Sequence, residues 1–230
     1  MINLLFALLA PHECLDCRRE GFVLCPVCAQ RLHPAIERCY LCQRASLGGL
    51  TCASCRQNTP LYATRALLRY ETLAKQIVWM LKFQHTRAAA TDIAALLVPL
   101  LQNYTADFYI THAPTANSRI RSRGYDQAQL IARQLARHLP RATYAPLVAR
   151  VGKGRQVGTN RAQRFQQQAH AFRPLRLLPS GSRVVIIDDV ITTGATLEAM
   201  ALVLRQAGAA HIEALTFAQT PSSAIITPVT

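Results

Sequence analysis

Val184-Val185-Ile186-Ile187-Asp188-Asp189-Val190-Ile191-Thr192-Thr193-Gly194-Ala195-Thr196 decides how this chain folds. Four consecutive apolar β-branched residues suit a strand covered on both faces. Two carboxylates follow, then a short loop of hydroxyls and glycine. Leu197 to Ala207 carries apolar residues at helical spacing, and Gly208 stands where a helix would stop. Thr192 to Thr196 therefore joins the C-terminal end of a strand to the N-terminus of a helix. Backbone N–H groups are unpaired there, and the helix dipole favours an anion. The threonine hydroxyls add donors, and Gly194 permits close approach. Such a loop suits a phosphate monoester. The carboxylates cannot bind that phosphate, but they can accept hydrogen bonds from vicinal hydroxyls or hold Mg²⁺, often through water. A phosphate beside a diol is the pattern of a ribose 5-phosphate.

Outward from this stretch the chain alternates strand and helix signals. Ala63 to Tyr70 reads as a strand. Leu73 to Phe83 reads as an amphipathic helix, with Ile77, Met80, Leu81 and the sole tryptophan, Trp79, facing the core and Lys82 on the surface. A second helix spans about Ala88 to Leu101, with Pro99 near its end. Ala106 to Ala113 reads as a strand broken by Pro114-Thr115. The sequence then predicts an extended loop over Asn117 to Gln127 on which Arg119, Arg121 and Arg123 face one way. Arginine forks suit phosphate oxygens. A helix from Ala128 to His138 and a short strand from Ala145 to Val151 follow. Gly152 to Asn160 reads as a mobile loop leading to a helix bearing Arg161 and Arg164. That segment is either a basic linker or a lid closing over a phosphorylated substrate. Ala210 to Gln219 is the final strand, and Thr220 to Thr230 a frayed tail. The alternation implies a mainly parallel sheet flanked by helices, with ligands at the C-terminal ends of its strands.

The formal charge of +14 is unevenly placed. Between Arg119 and Arg176, twelve arginines and Lys153 face a single acid, Asp126, giving that segment +12. Such a block points to polyanions: phosphorylated substrates, pyrophosphate or nucleic acid. The alternative is a solvated basic face.

All eight cysteines fall in C-x-x-C pairs: Cys14/Cys17, Cys25/Cys28, Cys39/Cys42 and Cys52/Cys55, with seven, ten and nine residues between successive pairs. Two such knuckles complete a tetrahedral Cys₄ site for Zn²⁺. Sequential pairing is expected, because each short interval closes at low entropic cost; a cross-braced arrangement is the competitor. Two structural zinc sites follow, with no catalytic role. A thioredoxin-like redox pair lacks its βαβ setting. The apolar start, residues 2–10, has no basic residue before it and no clear cleavage site, and it is too short to span a bilayer. It is expected to dock on the protein itself. No membrane span and a cytoplasmic setting are expected, where reduced thiols favour metal over disulfides.

The run VVIIDDVITTGAT resembles the phosphoribosyl-pyrophosphate (PRPP) motif of type I phosphoribosyltransferases. No G-x-x-x-x-G-K-[S/T] precedes it, which excludes a P-loop ATPase. Nearly all of residues 1–220 resembles the ComF family of competence-associated proteins, which includes GntX-like proteins. The marks are the apolar start running into the cysteine knuckles, Lys82 in MLKF, Arg123-Gly124-Tyr125-Asp126-Gln127, and Gln156, Arg164 and Ala171-Phe172 before the final motif. Asp126 and Gln167 stand where the family usually has Asn. The acid at 126 lies beside an anion site, where it either weakens phosphate binding or orients Arg123.

The resemblance implies an α/β fold, a type I phosphoribosyltransferase-like parallel sheet over residues 61–220. A small N-terminal helix and double zinc ribbon occupy residues 1–60, and the tail residues 221–230. It implies that Asp188 and Asp189 hold the ribose hydroxyls and help place Mg²⁺. Thr192, Thr193, Gly194, Ala195 and Thr196 cradle the 5-phosphate. Arg119, Arg121 and Arg123 are candidates for the pyrophosphate, and Arg164 for the lid. Two functions are weighed: a PRPP-dependent transferase with an unnamed acceptor, acting in DNA uptake, or a non-catalytic module binding a protein or single-stranded DNA. The partners implied are PRPP and single-stranded DNA or a DNA-uptake helicase or processing protein.

Overall fold

The computed structural model describes residues 12–84, 86–151 and 171–221. The apolar start at 2–10, the glycine-rich loop at 152–160, Arg161, Arg164 and the tail beyond residue 221 lie outside the described residues. A five-stranded sheet contains β1 (Leu61–Arg69), β2 (Phe108–His112), β3 (Ala142–Tyr144), β6 (Ser182–Ile191) and β7 (Ala209–Gln219), all parallel, in the order β1-β7-β6-β2-β3. The intervening β4 (Val148–Arg150) and β5 (Phe172–Pro174) form a separate antiparallel pair. The helices are α1 (Thr72–Phe83), α2 (Ala88–Leu97), α3 (Asn117–Arg123), α4 (Gln127–Arg137) and α5 (Ala195–Gln206), besides short helical turns.

The two-residue period of β6 builds both layers of the core. Val185 and Ile187 join the apolar cluster of α1, α2 and α4, which includes Ile77, Leu81, Ile93 and Ile131. Val184 and Ile186 join the opposite cluster, with Leu197, Met200 and Leu204 of α5. All four strand residues are at most 1% exposed. Burial of each such side chain contributes about 1.5–3 kcal/mol. Register then brings the functional edge together. His112 pairs with Ile187, so β2 ends one residue short of Asp188. The Ala113 N–H donates to the Ile187 carbonyl at 2.9 Å.

The cysteine modules lie along β1, an edge strand. Isolated bridges join Pro34 to Leu68 and Leu50 to Ala63, and they cover backbone groups that an open edge would expose. Asp92 of α2 ties down the first module by accepting the N–H groups of Val23 at 2.5 Å and Leu24 at 3.2 Å. Among the described residues no helix is long and apolar enough to cross a membrane.

Four expectations are corrected. Asn117 to Arg123 is a helix rather than an extended loop; Ala116 leads in with extended backbone and Gly124, at φ 73°, closes it in the left-handed region. The strand expected at Ala145 to Val151 is shorter, and β3 precedes it with pairing to β2. Trp79 is 51% exposed, because Ala74, Ile77, Val78 and Leu81 define the buried face of α1 and Trp79 lies off that face. Lys82 is no surface lysine, since its side chain is 22% exposed and engages Asp189.

Candidate functional site

Strand β6 ends by presenting Asp188 and Asp189 at the C-terminal edge of the sheet, and the two acids are not equivalent. Asp189 is 4% exposed. Lys82 Nζ lies 3.0 and 2.9 Å from its two oxygens, and Gln127 Nε2 donates to it at 3.1 Å. Gln127 in turn accepts from Arg123 Nη1 at 3.0 Å. Asp188 is half-buried and accepts the N–H of Asp189 at 2.8 Å. Although part of its surface is accessible, its carboxyl is set deep among protein atoms. Burial first, then the charge of Asp189, hold it well above the usual carboxylate range. Asp188 is thus the less buried of the two acids, while Asp189 is anchored within a polar chain running from Lys82 to Arg123.

The loop beyond is built as its composition requires. Thr192 and Thr193 are exposed, Ala195 and Thr196 half-buried. Gly194, at φ 78°, is the residue before α5 and turns the chain into it. The Thr193 hydroxyl accepts from Ala195 N–H at 3.4 Å. The loop therefore offers hydroxyls and a helix N-terminus to solvent, beside Asp188. Behind it stands the ring of Tyr40, from the second cysteine module: a Cβ at Gly194 would lie 2.7 Å from Tyr40 Cδ2.

The arginines divide. Arg119 and Arg123, four apart on α3, line one cavity with Ser118, Ser122, Tyr70, Lys82 and Phe83. Arg121 does not line it, because two helical steps turn it to the far side. Arg123 is buried, and burial followed by the charge of Arg119 lowers its pKa. Asp126 caps α4, accepting from Gln129 N–H at 3.2 Å, and also accepts Thr115 N–H at 2.7 Å. The acid therefore staples the loop after β2, a task an Asn oxygen would also perform. Arg164 lies outside the described residues.

The cysteines assemble sequentially. Cys14, Cys17, Cys25 and Cys28 form one cluster and Cys39, Cys42, Cys52 and Cys55 the other, with all sulfurs of a cluster within 4.8 Å of one another. Between knuckles, Cys17 and Cys25 sulfurs are 3.7 Å apart and Cys42 and Cys52 sulfurs 3.6 Å. A tetrahedron with Zn–S bonds of about 2.3 Å has edges of about 3.8 Å, so these residues fit the ion. Burial pushes the Cys14 thiol up, but N–H groups of Cys25, Cys17 and Asp16 outweigh it and bring it to about 6. The Ser54 hydroxyl leads a similar lowering of Cys52 to about 6.

Three contributors escaped the sequence reading of the site. Lys82 and Tyr40 act across long separations; the only local signal was a lysine at the end of an apolar run. Arg150, in β4, donates to the Pro114 carbonyl at 3.1 Å; burial, then the charge of Arg119, lowers its pKa, with Asp188 acting against them.

A family model described as "Phosphoribosyl transferase domain" matches residues 120–225. The chain is 28% identical over 219 residues to "DNA utilization protein YhgH" of Salmonella typhimurium, covering 90% of this chain and 96% of that protein. It is 27% identical over 217 residues to "Competence protein ComFC" of Bacillus subtilis, covering 88% and 82% respectively. Among solved structures, a purine phosphoribosyltransferase from Pyrococcus horikoshii aligns with a TM-score of 0.37 at 22% identity, over 60% of this chain and 77% of that one.

Proposed function

For a chain that carries a phosphoribosyl transferase domain and belongs with the ComF and YhgH proteins, we propose that the C-terminal edge of the sheet binds PRPP. The observation that carries this is one juxtaposition: exposed Thr192 and Thr193 just before α5, on the strand end that carries the half-buried Asp188. The loop Thr192 to Thr196 takes the 5-phosphate. Asp188 receives the ribose hydroxyls, and Asp189 keeps it in place. Arg119 and Arg123 face the pyrophosphate, while Arg121 plays a lesser part. Mg²⁺, when bound, would offset pyrophosphate charge; Asp188 would hold it, while the oxygens of Asp189 stay with Lys82 and Gln127.

In a phosphoribosyl transfer the C1–pyrophosphate bond breaks as a nucleophile arrives, through an oxocarbenium-like state. The chain's contribution is to position the ribose and stabilise the leaving polyanion. No nucleophilic side chain is required. The two cysteine clusters each hold a structural Zn²⁺, and the reduced thiols suit the cytoplasm. The role we assign is in the uptake or use of DNA, the theme of the relatives' names.

The test is a screen for pyrophosphate release from PRPP with a panel of bases and amines. Release that vanishes in the Asp188→Ala/Asp189→Ala variant identifies a transferase. PRPP binding without release for any acceptor rejects catalysis and leaves a PRPP-binding protein.

A further inference from the structure

A groove of 460 Å³ runs between the first cysteine module, β1 and α2. Phe22 and Leu32 come from the module, Leu67 from β1, and Ala95 and Leu96 from α2, with Pro99 just beyond. Phe22, Leu32, Leu67 and Leu96 are half-buried: each rests on the core with one side and leaves the other to the groove. Ala95 and Pro99 are exposed. Gln30 and Asp92 are the only polar residues in the lining, and Asp92 already accepts the Val23 and Leu24 N–H groups. The groove therefore has few hydrogen bonds to offer and favours an apolar occupant.

An apolar segment of the same chain starts at the rim of this groove. The His12 carbonyl accepts the Gly21 N–H at 2.7 Å, one residue before Phe22. Burial raises the pKa of Asp92, and the Val23 and Leu24 N–H groups and then the charge of His12 work against it, which sets His12 close to the groove wall. Residues 2–10, outside the described residues, are separated from His12 by Pro11 alone. They comprise Ile2, Leu4, Leu5, Phe6, Leu8 and Leu9, two alanines and Asn3, with no charge.

We propose that residues 2–10 fill this groove and pin the first cysteine module to β1 and α2. The tether decides the occupant. A segment joined to the rim by a single residue acts at an effective concentration of about millimolar, above that of a second copy in dilute solution. It also has six large apolar side chains of its own to cover, which a small apolar solute would leave in water. The apolar start alone implies docking on the protein; the groove and the position of His12 supply the place and the elements it joins. None of the groove walls belongs to the residues assigned to PRPP, so this docking stands apart from that site.

The test places the photocrosslinker p-benzoylphenylalanine in turn at Leu5, Phe6 and Leu8 of the full-length chain and maps the crosslinked peptides by mass spectrometry. At one or more of these positions the expected product is an intramolecular crosslink to Phe22, Leu32, Leu67 or Leu96. Ala95→Trp fills the groove from an exposed position, so those crosslinks should be lost in a protein that still melts cooperatively. If Ala95→Trp does not melt cooperatively, the crosslink map of the otherwise unaltered chain decides. Leu5→Asp/Leu8→Asp should empty the groove and add binding of an apolar fluorescent dye, which a further Ala95→Trp removes. Crosslinks formed between two chains would give the groove to a second copy and overturn the proposal. Crosslinks confined to another surface of the chain, or none at any of the three positions, would also overturn it. So would dye binding by the wild type equal to that of Leu5→Asp/Leu8→Asp.

Discussion

Replacing Gly194 with alanine should disturb the loop proposed to take the 5-phosphate, through a clash with the second cysteine module. Gly194 sits at φ 78°, where an L-residue costs about 1–2 kcal/mol. The new Cβ would stand 2.7 Å from Tyr40 Cδ2, 3.2 Å from its Cε2 and 3.6 Å from Ile191 Cδ1. Tyr40 has little room to retreat. It is 3% exposed, its hydroxyl donates to Thr59 Oγ1 at 2.6 Å, and its backbone lies between Cys39 and Cys42. Overpacking of this kind adds about 1–3 kcal/mol. The sum is about 2–5 kcal/mol, divided between lost stability and a displaced loop. If half falls on the loop, PRPP affinity drops about fivefold to several tens of fold, at tenfold per 1.4 kcal/mol. Thermal melts and PRPP calorimetry on wild type, Gly194→Ala, Tyr40→Ala and the double variant separate the parts. Tyr40→Ala removes the clash but leaves the φ strain, so the double variant should recover about 1–3 kcal/mol relative to additivity. Wild-type affinity and stability in Gly194→Ala, or strict additivity in the double variant, would refute the idea that Tyr40 braces the loop.

Glu213 is a second test. Arg65 lies 2.5 Å from it and His211 2.7 Å, and Tyr104 donates to it at 2.6 Å. Burial raises its pKa, but His211, Tyr104 and Arg65 outweigh that and lower it. Its contribution is present above the ordinary glutamate range and lost as pH falls through the lowered value. Glu213→Gln should therefore cost about 3–5 kcal/mol in urea melts at neutral pH and remove that part of the acid sensitivity. Asp188 has the opposite sign: its raised pKa means stability falls as pH rises between the ordinary and raised values. Asp188→Asn should raise the melting temperature at neutral pH and flatten that slope; an unchanged melt would contradict it. Metal analysis should find two zinc ions per chain. Cys25→Ser and Cys52→Ser should each lose one, and only Cys52→Ser, whose cluster carries Tyr40, should also weaken PRPP binding.

What the sequence made legible is local. The stretch Val184 to Thr196 places strand, acids, loop and helix in succession, and a two-residue period is enough to bury both faces of β6. The cysteine pairing was legible for a similar reason: each cluster closes short intervals. The features that were not legible join distant residues. Lys82 reaches Asp189 across 107 positions, and Tyr40 meets Gly194 only because the cysteine modules fold along the edge of the sheet. Alternating arginines at 119, 121 and 123 suggested an extended segment, but Gly124 closes a helix there and leaves only two of them on the cavity. Trp79 misled because an apolar helix does not disclose which large side chain falls off its buried face.

The most direct test of the PRPP site is a calorimetric titration of PRPP with Mg²⁺ into the full-length chain and its Asp188→Ala/Asp189→Ala variant. Saturable binding by the wild type, lost in a variant that still melts cooperatively, is the predicted result. Equal binding by both proteins, or no binding by the wild type, would contradict it.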